Sequence, residues 1–193
     1  MQKPTGYDEA KESYAGEFKQ LPPGAYNCAI KDAHEIKSQS GKNMLQLWLD
    51  IADGEYKNYF HEQYVDRMAK GQNAKWGGIY NQLTENSSTG YFKGLIANIE
   101  ESNPGYKFDW NEKTLVNKRI GGVFRREQFI AQDGQLKFST KCDYCVAISR
   151  VKDIKPPEDK LLDKEKPSSA GSYNASSTNN NMVEIDVNDD LPF

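Results

Sequence analysis

Residues 44–54, Met-Leu-Gln-Leu-Trp-Leu-Asp-Ile-Ala-Asp-Gly, decide how this chain folds. Leu45, Leu47, Leu49 and Ile51 recur at every second position, the spacing that puts side chains on one face of a strand. Met44, Gln46, Trp48 and Asp50 take the other face. Asp53-Gly54 is a strong hairpin signal, so residues 55–63 are expected to return as a third strand carrying Tyr56, Tyr59, Phe60 and His61. Upstream, Leu21-Pro22-Pro23-Gly24 stops the polar first twenty residues. It introduces a strand over 25–36, in which Tyr26, Cys28 and Ile30 alternate with polar positions. Residues 38–43 read as a turn around Gly41.

Downstream the pattern changes. Residues 64–76 read as a short helix or a loop, broken by Gly77-Gly78. Ser87-Ser88-Thr89 precede Phe92, Leu95, Ile96 and Ile99, which share one helical face, so a helix is expected to run to about residue 101. A second β region spans 114–130, with Gly121-Gly122 as a bulge or bend. Asp133-Gly134 is another hairpin turn, the last strand covers 136–151, and Pro156-Pro157 closes the domain. The expected fold is mainly β, with five strands and one helix inserted between strands 3 and 4. Periodicity gives the all-β domain with its helical insertion. Strand count and helix position match the five-stranded OB barrel, whose strand-2/3 face binds oligonucleotides, with a small β-sandwich as the alternative.

The chain has 193 residues, enough for one domain plus extensions, and its 37% apolar content implies that part of it does not fold. Residues 167–181 are uncharged and almost free of apolar side chains, the composition of a flexible linker. The layout is an N-terminal arm over 1–20, an OB-fold domain over 21–155, a flexible linker over 156–183 and an acidic tip over 184–193. Charge is uneven: residues 156–193 hold three lysines against eight acidic residues, a net of −5, while the body holds 22 basic and 20 acidic residues, a net of +2. No run of about 18 apolar residues exists to span a membrane, and residues 1–10 lack the apolar segment of a secretory signal. Three cysteines, Cys28, Cys142 and Cys145, fit a reducing cytoplasm better than a disulfide framework.

The chain ends in Asn188-Asp189-Asp190-Leu191-Pro192-Phe193, two carboxylates before a short apolar plug, with the terminal carboxylate as a third anion. Such a peptide suits a hydrophobic pocket with a basic rim on a partner protein. Linker and tip resemble those of the bacterial single-stranded DNA-binding protein family, whose members end in an acidic run followed by Ile/Leu-Pro-Phe. The resemblance covers about 25 residues. It implies that Asp189, Asp190, Leu191, Pro192 and Phe193 recruit replication, recombination or repair proteins. Val187 and Asn188 interrupt the acidic run. The body is similar to a set of phage and mobile-element proteins through Leu-Pro-Pro-Gly-Ala-Tyr at 21–26, Gly-Lys-Asn-Met-Leu-Gln-Leu at 41–47 and Asp-Gly-Glu-Tyr at 53–56. That likeness implies an OB-type single-strand binder in a bacterial or phage-infected cell.

Sequence-tolerant single-strand binding needs cations for phosphates and rings on which bases stack, each ring worth roughly 1–3 kcal/mol. Trp48, opposite the apolar face of its strand, is the first candidate. Tyr56, Lys57, Tyr59 and Phe60 interleave rings with a cation on the adjoining segment, and Arg67, Lys70, Lys75 and Trp76 follow. Arg119, Arg125, Arg126, Lys137 and Lys141 complete the set on the last two strands. The expected partners are single-stranded DNA and, through the tip, replication, recombination or repair proteins. A homo-oligomer is compatible with this reading. Stacking does not sense the 2′-hydroxyl, so RNA stays open. The rival function is an adaptor that binds no DNA and uses its tail to occupy tip pockets on host proteins.

No metal or cofactor is expected. Cys142-Asp143-Tyr144-Cys145 has C-x₂-C spacing, but zinc needs four ligands, only Cys28, His34 and His61 remain, and positions 142 and 145 of a regular strand face opposite ways. Two histidines and the lack of a Ser-His-Asp set or phosphate-binding loop argue against an enzyme.

Overall fold

The period-two stretch is a strand, and its neighbours follow from it. The computed structural model describes residues 3, 20–131 and 133–162, so most of the arm, much of the linker and the acidic tip lie outside the described residues. The elements are β1 (Gly24–Lys37), β2 (Asn43–Ile51), α1 (Tyr59–Ala69), β3 (Ile79–Leu83), α2 (Thr89–Ser102), β4 (Arg119–Ile130) and β5 (Leu136–Val146). Short 3-10 segments cover Asn86–Ser88, Glu112–Leu115 and Ile148–Asp153. The strands form one antiparallel sheet in the order β3-β2-β1-β4-β5. The edge strands β3 and β5 approach each other, without ladder pairing between them among the described residues. Among those residues no helix is long and apolar enough to cross a membrane.

Leu45, Leu47, Leu49 and Ile51 are all buried, as the alternation requires, and join Cys28, Ile30, Ile120 and Phe124 in the core. Each such burial contributes about 1.5–3 kcal/mol. α2 adds Leu95 and Ile99, with Phe92 and Ile96 packed beside them, so the four residues on one helical face do share the core. It lies against β3, β4 and β5. Leu21 plugs the entry to the domain: its N–H donates to the Tyr59 hydroxyl at 2.9 Å and its carbonyl accepts from Thr140 Oγ1 at 2.7 Å.

The segment expected as a third strand is not one. After Asp53-Gly54 the chain turns and enters α1 rather than a hairpin, and the strand beside β2 is the short β3 instead. A buried carboxylate is the physical reason. Asp50 Oδ1 accepts from the Ile51 N–H and from the Phe60 N–H, both at 3.0 Å, and so caps the first turn of α1 from the neighbouring strand. Unpaired N–H groups at a helix start accept such a cap readily. Asn58, in the left-handed region at φ 62°, makes the turn into the helix but no cap bond of its own.

β2 and β3 also come unusually close where β3 begins. The Leu49 N–H donates to the Gly78 carbonyl at 2.7 Å, and a Cβ on Gly78 would stand 2.2 Å from the Leu49 carbonyl oxygen. At the far end, Gly134 at φ 74° turns the β4–β5 hairpin as expected. The chain after Asp153 returns to this hairpin. Lys160 N–H donates to the Arg126 carbonyl at 2.9 Å and its carbonyl accepts from Gln128 N–H at 2.8 Å, a parallel bridge on the outer edge of β4.

Candidate nucleic-acid interface

Register places the first candidate. β1–β2 pairing sets Asp32 opposite Trp48 and His34 opposite Gln46, and β2–β3 pairing sets Ile79 opposite Trp48 and Asn81 opposite Gln46. Gln46 Nε2 donates to Asn81 Oδ1 at 3.1 Å, and Trp48 Nε1 donates to Gln46 Oε1 at 3.1 Å. These polar side chains lie away from the Leu45/Leu47/Leu49 core and define the outer face of β1, β2 and β3.

On that face Trp48, half-buried, stacks on Trp76 with centroids 5.7 Å apart and planes 13° from parallel. His34 meets Trp48 edge-on at 5.7 Å. His61 and Tyr64, from the exposed side of α1, close on Trp76 at 6.4 and 5.8 Å. Trp76 is 9% exposed and anchors the stack by donating from Nε1 to the Leu49 carbonyl at 2.8 Å. Trp76 is therefore the support of this platform rather than an open ring, and Trp48 carries the accessible edge.

The other rings divide. Phe60, 2% exposed, stacks on Phe124 at 5.6 Å inside the core, so it offers no ring to a base. Tyr56 and Tyr59 form an edge-to-face chain with Tyr26, at 6.1 Å for Tyr26–Tyr56 and 6.2 Å for Tyr56–Tyr59. Both are half-buried and pack against the core. Burial pushes the Tyr26 hydroxyl up to about 12, with Tyr56 beside it as a further cause. These three tyrosines wall the α1 end of the domain and are not stacked with Trp48.

The cations divide as well. Lys57, Arg67, Lys75 and Arg119 are exposed and make no ion pair among the described residues. Lys75 adjoins Trp76 in the chain, and Arg67 lies on α1 with Tyr64 and His61. Lys70 pairs with Asp66 at 2.7 Å. The four on the β4–β5 hairpin are all paired: Arg125 with Asp143 at 3.0 Å, Lys137 with Asp133 at 2.7 Å, Lys141 with Glu127 at 3.3 Å, and Arg126 with Asp159 through both its Nε and a terminal nitrogen. The Arg126 guanidinium holds the Asp159 carboxyl below its ordinary range. The expected basic groove is thus divided between exposed cations before, within and after α1 (Lys57, Arg67 and Lys75), a neutralised hairpin, and Arg119 apart at the start of β4. Asp189, Asp190, Leu191, Pro192 and Phe193 lie outside the described residues.

Sequence reasoning missed His34 as a neighbour of Trp48, since only the β1–β2 register shows it. It also set Cys142 and Cys145 on opposite faces. A bulge between the Val123–Tyr144 and Phe124–Cys142 pairs leaves Asp143 unpaired, so both cysteines turn to the core beside Cys28. Burial pushes the Cys28 and Cys142 thiols up, the opposite of what a thiolate ligand needs. Among the described residues no group of three or more His, Cys, Asp or Glu side chains is arranged to hold a metal.

Comparison with known proteins adds one likeness. The model of a family described as protein of unknown function (DUF669) matches residues 6–87, a span that contains β1, β2, α1 and β3 and with them the Trp48–Trp76 stack. None of the curated proteins compared with the chain matches it.

Proposed function

We propose that residues 21–155 form an OB-type barrel that binds single-stranded DNA without strong sequence preference, and that the acidic tip recruits replication, recombination or repair enzymes to the bound strand. The observation that carries this reading is the Trp48 platform: a ring held on the outer face of β2 by a second tryptophan, with Arg67 and Lys75 in the segments that flank it. Strand order, the approach of β3 to β5 and the position of α2 between β3 and β4 support the barrel, since an OB-fold is a partly open five-stranded barrel that binds oligonucleotides on its strand-2/3 face.

A rival reading has its own observation. Lys70 and all four hairpin cations are paired with carboxylates, which suits an adaptor whose domain binds no DNA and whose tail occupies tip pockets on host proteins. A titration with oligo-dT of about 35 nucleotides, against duplex and oligo-U of equal length, separates the two. Single-strand preference, tryptophan quenching and affinity that falls with salt support the binding reading. An absence of binding at low salt moves the function to the tail. Removal of residues 184–193 should tighten DNA binding at low salt, because the four acidic side chains of this tip compete with phosphate for the same cations. Unchanged affinity refutes that competition.

A further inference from the structure

Trp110 lies outside every site described above. It is 83% exposed, more than any other large apolar side chain among the described residues. Its backbone is at φ 66°, where a bulky residue is rare. The surrounding turn fixes it there. Asp109 Oδ1 accepts from the Asn111 N–H at 3.2 Å and from Thr114 Oγ1 at 3.0 Å, and Asn111 Oδ1 accepts from the Lys113 N–H at 3.1 Å. Phe108 packs against the core on one side and meets the Trp110 ring at 5.7 Å on the other. A large ring held in solvent on a braced turn is the geometry of a contact residue.

The turn is also tied to the Trp48 face. β4 leaves β1 after the Ala29–Arg119 pair, and the Glu112–Leu115 turn occupies the β1 edge that is freed. From it Lys113 Nζ donates to the Ala33 carbonyl at 2.8 Å and lies 3.6 Å from Asp32 Oδ1 and 3.4 Å from His34 Nδ1. His34 is the ring that meets Trp48 edge-on. A row of contacts therefore runs from Trp76 and Trp48 through His34 to Lys113, which lies three residues along the chain from Trp110. The carboxylates beside it are Asp32, held by His34 and Lys113, and Asp109 and Glu112 in the turn; burial pushes the Asp32 carboxyl up, but the Ala33 N–H bond and the neighbouring His34 and Lys113 outweigh it and hold the group below its ordinary range.

We propose that Trp110 is a second stacking position for an unpaired nucleobase, at the far end of the strand path that begins on Trp48. The proposal rests on the single-strand reading of the domain and extends it across β1. The ligand is a single-stranded oligonucleotide, contacted by ring stacking with no demand on base identity.

The test compares wild type, Trp110→Ala and Trp110→Phe by anisotropy of labelled oligo-dT, one strand long enough for the whole path (about 16 nucleotides, the upper end of OB site sizes) and one near the lower end, about 4. Trp110→Ala should weaken the long strand about tenfold, within the range that loss of one stacked base gives, and leave the short strand on Trp48 nearly unchanged. Trp110→Phe should restore most of the long-strand affinity, and melting temperatures of all three should agree because the ring is exposed. Equal long-strand affinity in wild type and Trp110→Ala overturns the proposal while leaving the single-strand function intact, and assigns the ring to a protein contact. Failure of the wild type to bind either strand overturns both.

Discussion

Trp76→Phe asks whether the Trp48 platform is held from below. The substitution keeps a ring 5.7 Å beneath Trp48 but cannot donate to the Leu49 carbonyl, which receives the indole N–H at 2.8 Å in a nearly closed site. A buried acceptor deprived of its donor costs about 1–3 kcal/mol, and the smaller ring leaves a void beside Tyr64 that adds about 1 kcal/mol. The expected loss is therefore about 2–4 kcal/mol, against about 3–5 kcal/mol for Trp76→Ala, where the stack goes as well. Urea unfolding followed by circular dichroism measures it, as a lower midpoint at unchanged slope. Where it remains folded, Trp76→Phe should bind oligo-dT nearly as the wild type does. Trp48→Ala should do the reverse, losing about 1–3 kcal/mol of binding with less effect on stability than Trp76→Ala. A Trp76→Phe protein within about 0.5 kcal/mol of wild type, the usual range of surface changes, would refute the supporting role.

Two further predictions concern the junction of β2 with α1 and β3. Gly78→Ala should destabilise by about 1–3 kcal/mol or more, the cost of overpacking, because its Cβ would stand 2.2 Å from the Leu49 carbonyl oxygen and 2.6 Å from the Phe60 ring; a variant with the wild-type urea midpoint would contradict that close approach. Asp50 is fully buried, and burial raises its carboxyl above the ordinary 3.8 despite the N–H bonds that oppose the shift. A raised folded value means that the group's contribution is complete below 3.8 and is lost as pH climbs through the folded value. Asp50→Asn, which imitates the protonated acid and keeps the acceptor for Phe60, should therefore gain stability relative to wild type as pH rises through that window, and then level off. Parallel pH profiles for the two proteins would count against it.

Where the sequence carried a strict period, it showed the element. The alternation in residues 44–51 and the spacing Phe92, Leu95, Ile96, Ile99 needed only local geometry, and β1, β2, α2 and the β4–β5 hairpin were legible from it. α1 was not, because its start depends on Asp50, ten residues upstream and paired to β1 on a different element. Asp53-Gly54 says that the chain turns, not what it enters. Tyr56, Tyr59 and Phe60 already broke the alternation, which was the available hint. β3 was missed because Ile-Tyr-Asn-Gln-Leu is short and every residue in it is only half-buried. The Cys142–Cys145 orientation failed for a similar reason: one unpaired residue reverses side-chain parity, and a bulge has no local signature here.

The cations show best what sequence could not tell, and they set a measurable number. By residue type, Lys57, Arg67, Lys70, Lys75, Arg119, Arg125, Arg126, Lys137 and Lys141 are nine equal candidates for phosphate contact. Folding makes them unequal. Asp159 comes back from 33 residues away to hold Arg126, and Asp143, Asp133, Glu127 and Asp66 take the partners described above. A phosphate that displaces one of these carboxylates exchanges one anion for another and releases little bound salt. Only Lys57, Arg67, Lys75 and Arg119 gain a charge partner outright. Each phosphate neutralised on a single strand contributes about −0.7 to the slope of log K against log salt. Nine contacts predict a slope of about −6, and four predict about −3. On the proposed single-strand reading the structure favours the shallower slope, with stacking on Trp48 expected to supply the salt-independent remainder. A slope near −6 would mean that the hairpin pairs open on binding and that the groove is reassembled by the strand it holds.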